Sequence, residues 1–94
     1  MYVLRIEHPV PNYDGWKQAF DSDPIGRKEM GVRRSRVYRA VDDANHVLVD
    51  LEFDDESQAQ SALAALKKLW GRVEGTVMSN ARTRIVEELE DNTF

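Results

Sequence analysis

Four stretches of the chain alternate apolar and polar residues in the way that β-strands do. They are rich in Val, Ile and Tyr, and they cover residues 2–8, 32–41, 46–54 and 81–89. The prolines of residues 8–12, HPVPN, end the first strand because proline has no N–H to donate to a β-ladder. A turn is expected at 41–45, and residues 72–80 are expected to be irregular or extended.

Between the first two strands, apolar residues recur with the period of an α-helix. This helix begins after Asn12, a favourable N-cap residue. It carries one aromatic stripe, formed by Tyr13, Trp16 and Phe20. Residues 21–31 predict a second, shorter helical turn, which Asp23 can cap and after which Gly31 can take a left-handed conformation.

A longer helix follows the third strand and completes the order of elements. It is predicted to begin at a cap formed by Asp54 or Asp55 and to end at Gly71. Its apolar stripe comprises Ala59, Ala62, Leu63, Leu66, Leu69 and Trp70. The order β-α-β-β-α-β predicts an α+β, ferredoxin-like sandwich, with four antiparallel strands and both helices on one face. We expect a single domain over residues 1–94, with 90–94 as a flexible tail.

The two middle strands are predicted to form a hairpin with a definite register. Pairing Ala40 with His46 places Val37 opposite Val49, on an apolar face that we assign to the helices. The opposite face then pairs Tyr38 with Leu48, Arg36 with Asp50, and Arg34 with Glu52. Opposite charges directly across a ladder contribute roughly 0.2–1 kcal/mol per pair, which favours this register.

The outer strands are expected to add further mixed side chains to the helix-free face. From the first strand these are Val3, Arg5 and Glu7, and from the last they are Arg84, Val86 and Glu88. Tyr2, Leu4, Ile6, Ile85 and Leu89 are expected to point toward the helices. A sheet face with this mixture of charged and apolar groups needs a partner. The simplest partner is a second copy packed across a two-fold axis, so the sequence predicts a homodimer.

Composition narrows the classes of function. Thirteen basic and seventeen acidic residues argue against nucleic-acid binding, and two of the arginines of the second strand, Arg34 and Arg36, already have carboxylates opposite them. The absence of cysteine excludes disulfides and thiolate metal sites, and two histidines distant in sequence make a metal site unexpected. The N-terminal residues lack the pattern of a signal peptide, and no apolar run is long enough for a membrane span. We therefore expect a cytoplasmic protein without membrane association.

Candidate chemistry begins with His8, which lies at a strand end close to the first helix. Its neutral imidazole could act as a general base near pH 7, and a hydrogen bond to the backbone is the alternative. Trp16 and Tyr13 could line an aromatic ligand cleft beside it, or could belong only to the core. On the second strand, Tyr38 could shape the site and Arg36 could bind an anion or oxyanion.

Asp50 and Glu52 resemble a paired-carboxylate motif for acid–base chemistry. They also face Arg36 and Arg34, and a structural role as ion-pair partners is the simpler interpretation. Asp50 thus stands as a candidate ligand-binding residue with a structural alternative.

The sequence resembles the dimeric α/β-barrel superfamily, which includes antibiotic-biosynthesis-type monooxygenases. The segments RIEHPVPNYDGWKQAFDSDPIGRKEMGVRRSRVYR, VLVDLEFD and ALKKLWGRVEGT are similar to a group of small bacterial proteins, mostly uncharacterised or described as cyclase-like. The resemblance covers essentially the whole chain. It implies a dimeric barrel built from two ferredoxin-like units, and it carries no agreed catalytic residues.

The same resemblance implies a small, often aromatic ligand between sheet and helices. Some superfamily members oxidise such ligands with molecular oxygen and no cofactor, and others have no shown activity. Haem-degrading members carry a tryptophan on the second helix, matched by Trp70, and an iron-ligating histidine about ten residues later, where this chain has Asn80. Haem, and any other cofactor, is therefore not expected. Two functions stay open: a cofactor-independent monooxygenase or related enzyme, and a non-catalytic binding or interaction module.

Overall fold

The computed structural model describes residues 1–73 and 80–94 of the chain. Within them the elements are β1 (Tyr2–Pro9), α1 (Tyr13–Asp21), β2 (Arg34–Ala40), β3 (Asp43–Phe53), α2 (Glu56–Val73) and β4 (Arg82–Glu87). The strands form one antiparallel sheet in the order β2-β3-β1-β4. This arrangement is the predicted ferredoxin-like sandwich.

The hairpin register is confirmed, although its turn is tighter than predicted. Val37 lies opposite Val49, and the pairing holds from Arg34 to Arg39. A β-bulge after Arg39 then places Ala40 opposite Asp43 rather than His46. β3 begins early because its first residues extend toward the end of β1, where the Val10 N–H donates to the Asn45 carbonyl at 2.7 Å. The extra residues on β3 are absorbed by the bulge.

The segment that links α1 to β2 forms turns instead of the predicted short helix. Asp23 has a φ of 55°, which is the left-handed region and not the extended conformation of an N-cap. Its carboxylate nevertheless accepts a hydrogen bond from the Arg27 backbone N–H at 3.0 Å. Gly31 has the predicted positive φ, at 95°. A Cβ at Gly31 would lie 2.6 Å from the side-chain amide nitrogen of Gln58, so a larger residue here would also displace the Gln58 side chain.

The long helix begins as predicted and ends later. Asp55 is the cap residue, because its carboxylate accepts a hydrogen bond from the Gln58 N–H at 2.9 Å. The helix passes through Gly71 and continues to Val73, so the prediction that Gly71 ends it is wrong. Glycine in a helix lowers helix stability by only about 1 kcal/mol relative to alanine, which the flanking turns can offset. Of the segment 72–80 that was predicted to be irregular, residues 74–79 lie outside the described part of the chain.

The hydrophobic core lies between the sheet and the two helices. Its buried members come from β1, β3 and the two helix stripes, and they include Leu4, Ile6, Trp16, Val47, Val49, Leu51, Phe53, Ala59, Ala62 and Leu66. The other stripe residues, Tyr13, Phe20, Leu63, Leu69 and Trp70, are partly buried and pack against this cluster, and Tyr2 does not belong to it. Ile85 of β4 packs against this cluster, as predicted. Leu89 does not: β4 ends at Glu87, where the ladder with β1 stops, and Leu89 is 84% exposed.

Candidate functional site

A cavity of about 280 Å³ lies between the two helices and the sheet. Its sheet side is formed by Ile6 and His8 of β1 together with Val49 and Leu51 of β3. The remaining walls come from α1, from the loop of residues 22–27 and from α2: Trp16, Ala19, Phe20, Ser22, Asp23, Pro24, Ile25, Arg27, Leu66, Leu69 and Trp70. We call it the His8–Trp16 cavity. A predominantly apolar cavity with a few polar groups is the usual form of a small-molecule site.

Trp16 is held at the centre of an aromatic group by the way α1 begins. The Asn12 side chain accepts a hydrogen bond from the Gly15 N–H at 2.9 Å, which confirms Asn12 as the N-cap and starts the helix at the next residue. Trp16 then faces the sheet and is only 5% exposed. Its ring stacks on Phe20 with centroids 5.1 Å apart and meets His8 edge to face at 5.7 Å.

His8 is a buried polar side chain, and it lines the cavity. It is 2% exposed, and its Nδ1 lies 3.1 Å from the carbonyl oxygen of Pro9. Because that carbonyl can only accept, the proton of the neutral ring sits on Nδ1, which leaves Nε2 as an acceptor. Burial lowers the pKa of His8; the hydrogen bond to Pro9 acts in the opposite sense, and the nearby His46 adds to the lowering. The imidazole is therefore neutral at pH 7 and can accept a hydrogen bond or a proton.

The loop of residues 22–27 brings two charged side chains to the same cavity. The Arg27 Nε lies 2.9 Å from the Asp23 Oδ1, and the guanidinium lies over the Phe20 ring at 4.0 Å from its centroid. Hydrogen bonds from the Arg27 backbone N–H, and secondarily from its side chain, lower the pKa of the Asp23 carboxyl. Sequence reasoning assigned Asp23 only to a helix cap and did not select Arg27. The spacing of Phe20, Asp23 and Arg27 would have indicated their contact only if this loop had been recognised as a tight turn.

The other candidate residues do not reach this cavity. Tyr38 and Asp50 line a separate, open depression of about 670 Å³ on the helix-free face, and Arg36 lies on the same face. Successive strand residues point to opposite faces, so no rotamer brings these side chains to the helix side. Tyr13 contacts the Trp16 ring at 5.9 Å but does not line the cavity. The structure therefore unites His8 with Trp16 and separates both from Tyr38, Arg36 and Asp50.

One ion pair on the helix-free face follows a diagonal that the sequence did not predict. The Arg36 Nη1 lies 2.9 Å from the Glu52 Oε1, not beside Asp50, which it faces in the register. Asp50 instead pairs with Arg5 at 3.3 Å, because Arg5 is its directly opposite neighbour on β1. The predicted pair of Arg34 and Glu52 is confirmed, with the Arg34 Nε 3.7 Å from the same Glu52 carboxylate. Long arginine side chains reach diagonal as well as direct neighbours on a sheet, so correct backbone register does not determine the ion pairs.

Comparison with known proteins places the fold. No family model and no curated protein matches the chain. Among solved structures, the chain is similar to SnoaB, described as a cofactor-independent oxygenase from Streptomyces nogalater. The sequence identity is 14% and the TM-score 0.74, over 96% of this chain and 94% of that one.

Two further structures show the same similarity. One is described as a dimeric ferredoxin-like protein from an uncultured marine organism, with 13% identity and a TM-score of 0.67 over 97% of both chains. The other is described as an antibiotic biosynthesis monooxygenase, with 7% identity and a TM-score of 0.68 over 96% of this chain and 100% of that one. The resemblance to antibiotic-biosynthesis-type proteins is confirmed as a resemblance of fold. A shared fold at these identities leaves the reaction to be argued from the site.

Proposed function

We propose that the protein binds a small, predominantly apolar organic molecule in the His8–Trp16 cavity. The observation that carries this proposal is that His8 and Trp16 border one open cavity of about 280 Å³ instead of a filled core. Most of the wall is aliphatic or aromatic, so an apolar ligand would gain from leaving water. A core built only for stability would fill such a space, because protein interiors pack closely.

The chemistry that this cavity can supply centres on His8. Its Nε2 is an acceptor, since Nδ1 is engaged with the Pro9 carbonyl. A ligand hydroxyl or acidic C–H next to Nε2 could pass its proton to the ring. Deprotonation makes an aromatic molecule electron-rich and prone to oxidation, and SnoaB is described as a cofactor-independent oxygenase. We therefore propose His8 as a general base in an oxygenation of this type, in which the deprotonated ligand supplies the electrons, one atom of molecular oxygen enters the ligand and the other leaves as water. Trp16 then shapes the ligand position.

A homodimer is part of the same proposal. The helix-free face carries the partly exposed Tyr38, at 48%, together with Leu48 and Val86 in one depression. Charges of both signs surround these groups, so two copies of the face can oppose unlike charges across a two-fold axis. A protein of similar fold is described as a dimeric ferredoxin-like protein. Packing a second copy on this face would cover the apolar groups and leave the His8–Trp16 cavity, on the other side of the sheet, accessible.

Filling the cavity from α1 tests the binding site. Ala19→Trp places an indole in the cavity, and Ala64→Trp is the matched control, since Ala64 is exposed on α2 and does not line it. Acetylnaphthalene, a neutral apolar probe, should bind the wild type and the control with similar affinity. Its affinity for Ala19→Trp should be lower by about tenfold or more, as measured by isothermal titration calorimetry. Circular dichroism checks that both variants are folded. Equal binding to all three proteins, or no binding to the wild type, would overturn the proposal.

A further inference from the structure

The charged groups of the His8–Trp16 cavity are confined to one place. Among its described lining residues, only Asp23 and Arg27 carry a charge at neutral pH, since His8 is neutral. Both belong to the loop of residues 22–27, and the Arg27 side chain is 22% exposed. One end of the cavity lining is thus charged, while the rest is apolar apart from His8 and Ser22.

Arg27 is held in one orientation by two independent contacts. Its Nε donates to the Asp23 carboxylate at 2.9 Å, and its guanidinium carbon lies over the Phe20 ring at 4.0 Å from the ring centroid. A guanidinium has five N–H donors in one plane. Only the Nε donor is engaged within the described part of the chain, so the Nη donors are available. A fixed guanidinium with free in-plane donors matches the geometry of a carboxylate.

We propose that Arg27 determines specificity in this cavity by binding the carboxylate of an aromatic or other apolar acid. The proposal rests on the proposed function, because it requires that the apolar part of the acid occupies the His8–Trp16 cavity. Arg27 is preorganised by Phe20 and Asp23, so little side-chain entropy is lost when the acid binds. Asp23 is then a positioning residue: it orients Arg27, and its own negative charge limits how tightly an anion binds.

Two probes of the same shape separate charge recognition from apolar binding. Naphthoate carries the carboxylate, and acetylnaphthalene is its neutral counterpart. Calorimetry on the wild type should show naphthoate binding more tightly. Arg27→Gln should weaken naphthoate about tenfold, the expected loss for one charged hydrogen-bonding partner, and leave acetylnaphthalene within about twofold. The backbone N–H of residue 27 still donates to Asp23 in this variant, so the turn is retained. Lys28→Gln removes the same charge from an exposed neighbour and should change neither affinity by more than about twofold.

Asp23→Asn distinguishes recognition from a structural role of the ion pair. Asparagine keeps the side-chain oxygen and tolerates the positive φ of this position. With the negative charge removed, naphthoate should bind more tightly, opposite in sign to Arg27→Gln. If both variants weaken both probes equally, Arg27 only stabilises the loop and the inference is overturned. If acetylnaphthalene binds the wild type as well as naphthoate does, the inference fails while the proposed function stands. If neither probe binds, both fail.

Discussion

Replacing Trp16 measures how far the cavity wall is also part of the hydrophobic core. The ring is 5% exposed and contacts His8, Phe20 and Tyr13. Burial of a tryptophan removes roughly 150–250 Å² from water, which at about 25 cal/mol per Å² corresponds to about 4–6 kcal/mol. Unfolded chains already bury part of that area, and measured Phe or Trp to Ala losses are about 3–5 kcal/mol. We expect Trp16→Ala to lower the free energy of unfolding by about 3–5 kcal/mol.

The assay is urea unfolding followed by far-ultraviolet circular dichroism, extrapolated linearly to water. A domain of 94 residues is stable by about 5–14 kcal/mol, so the variant should stay folded or nearly so. Trp16→Phe keeps a ring against Phe20 and should lose about 1–2 kcal/mol. Trp70→Ala is the control, because Trp70 lines the same cavity but is only partly buried. A loss below about 1 kcal/mol for Trp16→Ala, or one no larger than for Trp70→Ala, would refute the assignment of Trp16 to the core.

Two further predictions concern pH and assembly. Burial lowers the pKa of His8 below its ordinary value of about 6.5, so the unfolded chain binds the proton first, and the free energy of unfolding should decrease as the pH falls through 6.5 toward the folded-state pKa. His8→Asn should flatten this pH dependence of stability in thermal melts between about pH 8 and 5. His46→Asn is the control and should keep the part of the dependence that comes from His8. If His8→Asn shows the wild-type pH profile, the prediction is wrong. Sedimentation should give twice the chain mass, and Arg36→Ala should weaken the dimer because the buried Glu52 carboxylate loses its nearest cation. Arg33→Ala removes an exposed arginine paired with Asp54 and should not weaken the dimer. A monomeric wild type, or an unchanged dimer in Arg36→Ala, would count against the packing of a second copy on this face.

Local sequence patterns predicted most of the fold. The period-two segments predicted the strands and the face that each residue occupies, and Val37 lies opposite Val49 as the pairing of apolar rows required. The aromatic stripe of α1 and the alanine–leucine stripe of α2 face the core as predicted. Two errors fall at element ends, at Gly71 and Leu89, and a third is the segment 21–31, which forms turns instead of the predicted short helix. The ends were decided by the neighbouring strands and turns, which no local pattern contains.

The candidate site was predicted less well than the fold, for a physical reason. Sequence reasoning proposed His8 and Trp16 together with Arg36 and Tyr38, although its own register placed the second pair on the helix-free face. It could not select Arg27, because the contact with Phe20 depends on how a turn without periodicity folds back over α1. A cavity is volume that the packed elements leave unfilled, and no periodic pattern encodes it.

The amino-acid sequence by itself determined the order of elements, the strand register and the division of the sheet into an apolar and a charged face, because these follow from backbone periodicity and from the cost of burying unpaired polar groups. Only the tertiary structure decided that His8 and Trp16 border one cavity, that Arg36 pairs with Glu52 and Asp50 with Arg5, and that the charges of Asp23 and Arg27 lie at the same ligand-sized space. These features depend on distances between side chains far apart in the chain, which are set by packing and not by any local pattern.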